Sequence, residues 1–165
     1  ILSVTITYSC APHSTPIGEE ETYNITVNDF KVDNTGTDIS GLLNSNLSTY
    51  LTSDITLTSV TGTKIYGNAT NATNFKMGSS SAVGTITFNF ASMKVSQVIV
   101  SAYKYSSDTV SIKVTTSADT TGKTISIPAS TPTNYTYALN DASNATSLTI
   151  EGVGKRFHLE GIKII

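Results

Sequence analysis

The 165-residue chain is poor in charge, holds one cysteine and contains no tryptophan. Charged residues make up 13% of it, against about 25% in an ordinary globular chain. Thr and Ser fill the gap, at roughly 30% of the residues, so solubility rests on hydroxyls and amides. A formal net charge of -2 offers no basic surface for neutralising phosphates, which argues against nucleic acid as a partner. Cys10, standing alone, excludes an intramolecular disulfide. No apolar run approaches the ~20 residues of a membrane-spanning helix, so membrane insertion is not expected. The opening stretch, 1–8, reads as a strand rather than as a leader.

A sustained 3.6-residue apolar period is missing as well, and an alternation of period two stands in its place. Leu2, Val4, Ile6 and Tyr8 alternate with hydroxyl residues, as do Tyr23, Ile25 and Val27. The same pattern returns in Ile86, Phe88 and Phe90, in Val98, Val100 and Ala102, and in Val110, Ile112 and Val114. It continues through Ile125 and Ile127, Tyr135 to Leu139, and Leu148 and Ile150. Threonine, β-branched and polar, suits the solvated face of such strands. The least strand-like part is 38–51, where mixed spacing predicts a long connection with one helical turn. Ile55 to Val60 and Lys64 to Tyr66 are expected to form a hairpin across Thr61-Gly62. In the last strand the apolar phase of Phe157 and Leu159 slips before Ile162 and Ile164, which places a bulge at Gly161. About ten short strands with Gly, Asn, Asp and Pro turns predict one all-β domain over 1–165, an antiparallel two-sheet β-sandwich.

Catalytic signatures are absent. Ser117 to Thr124 ends in Gly-Lys-Thr, but a serine occupies the first glycine position of a phosphate loop and strands flank it on both sides, so a hairpin turn is expected. Cys10 and His13 supply half of a metal site at most. Scattered carboxylates keep a glycoside hydrolase among the alternatives, since two of them in a cleft would suffice. No cofactor is required, although a structural calcium would suit a fold without disulfides; Asp29, Asp33 and Asp38 are its candidate ligands. Sugar binding commonly uses an aromatic face with polar groups beside it. Tyr103 and Tyr105 share one strand face next to Asp108, and Arg156 and His158 share the outward face of the last strand, so these five are the candidate ligand-binding residues. Tyr50 and Tyr66 are weaker candidates in loops. Six Asn-X-Ser/Thr sequons occur, at Asn24, Asn46, Asn68, Asn71, Asn134 and Asn144.

The segment Phe75-Lys76-Met77-Gly78-Ser79-Ser80-Ser81, the strand Gly84-Thr85-Ile86-Thr87-Phe88, the run from Val95 to Asp108 and the closing Arg156-Phe157-His158-Leu159-Glu160-Gly161-Ile162 together carry a resemblance. They resemble the jelly-roll, carbohydrate-binding-like β-sandwich modules of secreted and surface-attached bacterial proteins. This resemblance covers Phe75 to Ile165 and implies attachment to a polysaccharide or glycan rather than an activity. The expected function is therefore a non-catalytic extracellular or cell-surface module that tethers its parent protein. A second expectation is a filament or pilus subunit that self-assembles through an edge strand such as Leu2 to Tyr8.

Overall fold

The structure is a computed structural model, and it describes residues 22–26, 30, 38–41, 55–58, 60–67, 73–139 and 143–165. The N-terminal strand expected over 1–8, Cys10, His13, Asp29, Asp33 and Tyr50 lie outside the described residues, as do the sequons at Asn46, Asn68 and Asn71.

Among the described residues eleven strands form two antiparallel sheets. The first sheet contains β1 (Tyr23–Thr26), β3 (Ile65–Gly67), β4 (Phe75–Met77), β6 (Gln97–Lys104), β9 (Thr133–Ala138) and β11 (Phe157–Ile164). Its order is β3-β4-β11-β6-β9, with β1 also paired to β11. The second sheet contains β2 (Ile55–Thr58), β5 (Thr85–Met93), β7 (Ser111–Thr116), β8 (Lys123–Ser126) and β10 (Ala145–Val153), in the order β2-β5-β10-β7-β8. Apart from the β7–β8 hairpin, every connection from β5 to β11 crosses between the sheets, as in a jelly roll.

The alternation read in the sequence is the alternation of burial. Val98, Val100 and Ala102 on β6, Ile112 and Val114 on β7, Leu148 and Ile150 on β10, and Phe157 and Leu159 on β11 all point into the core between the sheets. Tyr137 of β9 crosses that core, and its hydroxyl donates to the Ile112 carbonyl at 3.2 Å, tying one sheet to the other. Burial pushes the Tyr137 phenol well above its ordinary range, so it stays a neutral donor.

Two expectations need adjustment. Ile55 to Val60 and Lys64 to Tyr66 do not pair with each other, because β2 pairs with β5 and β3 with β4, in opposite sheets. Gly62, at φ +79°, does make a turn, but the turn carries the chain from one sheet to the other. Local turn chemistry fixes a reversal without fixing which sheet receives the next strand. The eleventh strand is β4, whose three residues are too few for a periodic signal. By contrast, the Gly-Lys-Thr segment is the expected β-hairpin turn, with Gly122 at φ +62° and the Asp119 carboxylate accepting from the N–H groups of Thr121 and Gly122.

The bulge in β11 organises the first sheet. Leu159 pairs with Ala102 and Gly161 with Ser101, leaving Glu160 as the extra residue. On the opposite side of β11, β4 covers Phe157 to Leu159 and β1 covers Gly161 to Ile164, so the bulge falls where one neighbour gives way to the other.

Candidate functional site

Residues facing away from the core on the first sheet are set by strand register. Tyr66 on β3 lies opposite Lys76 on β4, Lys76 lies opposite His158 on β11, and His158 lies opposite Tyr103 on β6. Directly opposed residues on one face stand close enough for their side chains to touch. Four strands therefore lay four side chains in one row.

The row is packed ring on ring. His158 stacks on Tyr103, with centroids 4.5 Å apart and planes at 23°, and Tyr105 leans on His158 at 5.4 Å. The Lys76 ammonium sits 4.0 Å from the centre of the Tyr66 ring and 5.5 Å from that of Tyr105. Arg156 places its guanidinium 4.5 Å from the Tyr105 ring. Such cation–π contacts hold a ring in place while leaving part of its face to solvent.

Tyr105 lies just beyond β6, where the chain turns, yet its position is fixed from three sides. Its N–H donates to the Arg156 carbonyl at 3.2 Å, and its own carbonyl accepts from the Asp108 N–H at 3.1 Å. Asp108 in turn accepts from Arg156 Nε at 2.8 Å and Nη2 at 3.3 Å, a fork that leaves the carboxylate engaged within the protein. Arg156 holds the Asp108 carboxyl below its ordinary range. Arg156 and Asp108 thus position Tyr105.

Beneath the rings lies Asn74, which is 0% exposed. Its amide N–H donates to the Tyr103 hydroxyl at 3.0 Å, and its amide oxygen lies 2.8 Å from His158 Nδ1. An amide oxygen can only accept, so Nδ1 carries the proton and Nε2 is the acceptor of the ring. Burial, with the nearby Lys76 charge adding to it, pushes the His158 pKa down to about 4. The imidazole is therefore neutral at pH 7.

The five residues expected from the sequence, Tyr103, Tyr105, Asp108, Arg156 and His158, are all brought together here. Sequence reading missed Asn74 and Lys76, and it gave Tyr66 only as a weaker candidate. Lys76 stands between two buried residues, Phe75 and Met77, on a strand too short to show alternation in the sequence. Nothing in the sequence marked Asn74, whose partner His158 is 84 residues away. Asp38 lies elsewhere in its chemistry: its carboxylate accepts from Lys64 Nζ at 2.6 Å and from Ser40, and although burial opposes its charge, these bonds hold it below its ordinary range. Among the described residues no three His, Cys, Asp or Glu side chains are grouped to hold a metal ion.

Along the same face, past the bulge, the sheet dips into an open groove of about 380 Å³. Gly161 and Ile162 form its floor, and Asn24, Ser101, Asn134 and Lys163 stand around it. Glu160 lies between the groove and the ring cluster; burial raises its carboxyl above the ordinary range, against a side-chain hydrogen bond with Thr73. Two of the sequon asparagines, Asn24 and Asn134, are thus groove residues, and Asn144 is exposed elsewhere.

No family model matches the sequence, and a search of curated proteins found no match. Solved structures to which the chain is similar include carbohydrate-binding modules. A mutant family 29 module complexed with mannohexaose shares 11% identity, with 87% of this chain and 90% of that chain covered and a TM-score of 0.47. Another family 29 module shares 10% identity over 88% of this chain and 89% of that chain, at a TM-score of 0.47. BiXyn10A CBM1 in its apo form shares 11% identity over 62% of this chain and 79% of that one, at a TM-score of 0.43.

Proposed function

We propose that the chain is a non-catalytic module that binds carbohydrate on the outward face of its first sheet and tethers a parent protein to a polysaccharide or cell-surface polymer outside the cell. The observation that carries this reading is the half-buried ring cluster of Tyr103, Tyr105, His158 and Tyr66, held together by Asn74, Lys76 and Arg156 on the outward face of the sheet. Rings fixed before a ligand arrives lose little freedom on binding, and their faces suit the C–H surface of a sugar. The hydroxyl and amide surroundings can satisfy sugar hydroxyls without burying a charge.

Affinity electrophoresis through gels containing soluble polysaccharides tests the reading. Wild type should be retarded by at least one polymer, and the Tyr103→Ala, Tyr105→Ala double variant should lose about tenfold or more in affinity, the equivalent of removing two ring contacts. Equal retardation of the two proteins, or no retardation of wild type on any polymer, refutes it.

A further inference from the structure

The groove beyond the bulge has a charge character that the ring cluster does not explain. Lys163 stands in it, near the C-terminal end of β11, between Asn24 of β1 and Ile99 of β6. Lysines on the edge strands of a sheet discourage pairing with other chains. That account does not apply to Lys163, because β11 has neighbours on both sides. Lys64 pairs with Asp38 and Arg156 with Asp108, whereas Lys104 at the end of β6 makes no ion pair among the described residues. Among the described residues Lys163 makes no ion pair, and neither does Lys76, whose contacts are with the rings of Tyr66 and Tyr105.

Two ammoniums without carboxylate partners among the described residues therefore face outward on one surface. Lys76 is level with His158, and Lys163 lies further along the same strand, a separation of roughly 13 Å at the rise of an extended chain. That length exceeds one sugar ring. Between them run Tyr103 and Ser101 on β6, the Glu160 carboxyl, which burial raises above its ordinary range, and the bare backbone of Gly161, where a side chain would crowd the Ile25 carbonyl at 3.1 Å. Around Lys163, the amide N–H groups of Asn24 and Asn134 add neutral donors from opposite sides. Ammonium plus amide donors in a groove of ligand size is chemistry that recognises a carboxylate flanked by hydroxyls.

From this arrangement we infer that the ligand is an acidic polysaccharide, a polyuronate, lying along β11 with one sugar on the ring cluster and a uronate carboxylate at Lys163. The inference rests on the carbohydrate-binding reading and adds to it the charge of the ligand and the direction in which it lies. Lys163 is the residue that sets the preference for acid over neutral sugars.

Calorimetric or electrophoretic binding to polygalacturonate, to alginate and to fully methyl-esterified polygalacturonate tests it, with neutral glucomannan and xylan alongside. At ~20 mM salt a polyuronate should bind about tenfold more tightly than the methyl ester, and the advantage should vanish at ~0.5 M salt, where charges are screened beyond ~4 Å. Lys163→Gln should lose about fivefold to tenfold on the acid polymer and leave neutral binding unchanged, while Lys163→Arg should keep the preference. Thermal melts of both variants should match wild type. Equal binding of acid and ester, or an acid preference that survives Lys163→Gln, overturns the inference. Binding of neutral polymers alone, sensitive to Tyr103→Ala, overturns it while the carbohydrate reading stands. Binding of no polysaccharide removes both.

Discussion

His158 gives the packing of the ring cluster a thermodynamic signature. Its pKa is about 4 in the folded chain against 6.5 as the ordinary value. Between these values the unfolded chain binds a proton that the folded chain refuses, so unfolding takes up protons and stability falls as the pH falls. The contribution is fully present above about pH 6.5 and is lost progressively down to about pH 4. A shift of this size corresponds to about 3 kcal/mol at full burial, since one unit is about 1.4 kcal/mol. His158 is only half-buried, and solvent screening reduces the effect to about 1.5 kcal/mol. Urea melts of wild type and His158→Gln at pH 7.5, 6, 5 and 4 isolate the group, because other titrations are common to both proteins. The gap between them should close or reverse by ~1.5 kcal/mol on going to pH 4, a midpoint shift of about 1 M urea. Parallel pH profiles for the two proteins would refute a neutral, desolvated imidazole between the tyrosines.

Other consequences can be measured independently. Asn74→Asp puts a carboxylate 2.8 Å from His158 Nδ1, and a nearby anion raises an imidazole pKa by about one to three units; an NMR titration of the His158 ring should move up accordingly, and an unmoved midpoint contradicts the contact. Gly122→Ala meets both a positive φ and the Val114 carbonyl at 2.2 Å from the new methyl, so it should cost about 2 kcal/mol and lower Tm by roughly 4–8 °C in calorimetry. Tyr137→Phe removes the hydroxyl that joins the two sheets and should cost about 1 kcal/mol in denaturant melts, with no change in polysaccharide binding.

Much of the fold was legible because burial in a two-sheet sandwich imposes a period of two, and the hydroxyl residues made that period easy to see. The slip after Leu159 was readable as a bulge for the same reason: one extra residue, Glu160, shifts every later side chain by one face. Pairing partners were not legible. Thr61-Gly62 announces a turn whether the next strand joins the same sheet or the opposite one, and β4 is too short to show alternation. The site divides similarly. Tyr103, Tyr105 and Asp108 are close in sequence, and Arg156 and His158 share a strand face, so both halves could be read locally. Their meeting depends on the register of β6 against β11, and the supports from Asn74 and Lys76 depend on that of β4, which local patterns do not encode. Asp108, one of the candidate ligand-binding residues, has its carboxylate engaged by Arg156, which helps to place Tyr105.

The most direct test of the central claim is chemical-shift mapping of the ¹⁵N-labelled chain during titration with oligosaccharides of any polymer that retards it. The account predicts that the perturbed amides cluster on β4, β6 and β11 around Lys76, Tyr103 and His158 and extend across Gly161 toward Lys163. Perturbations confined to the second sheet, around β5, β7 and β10, would contradict it.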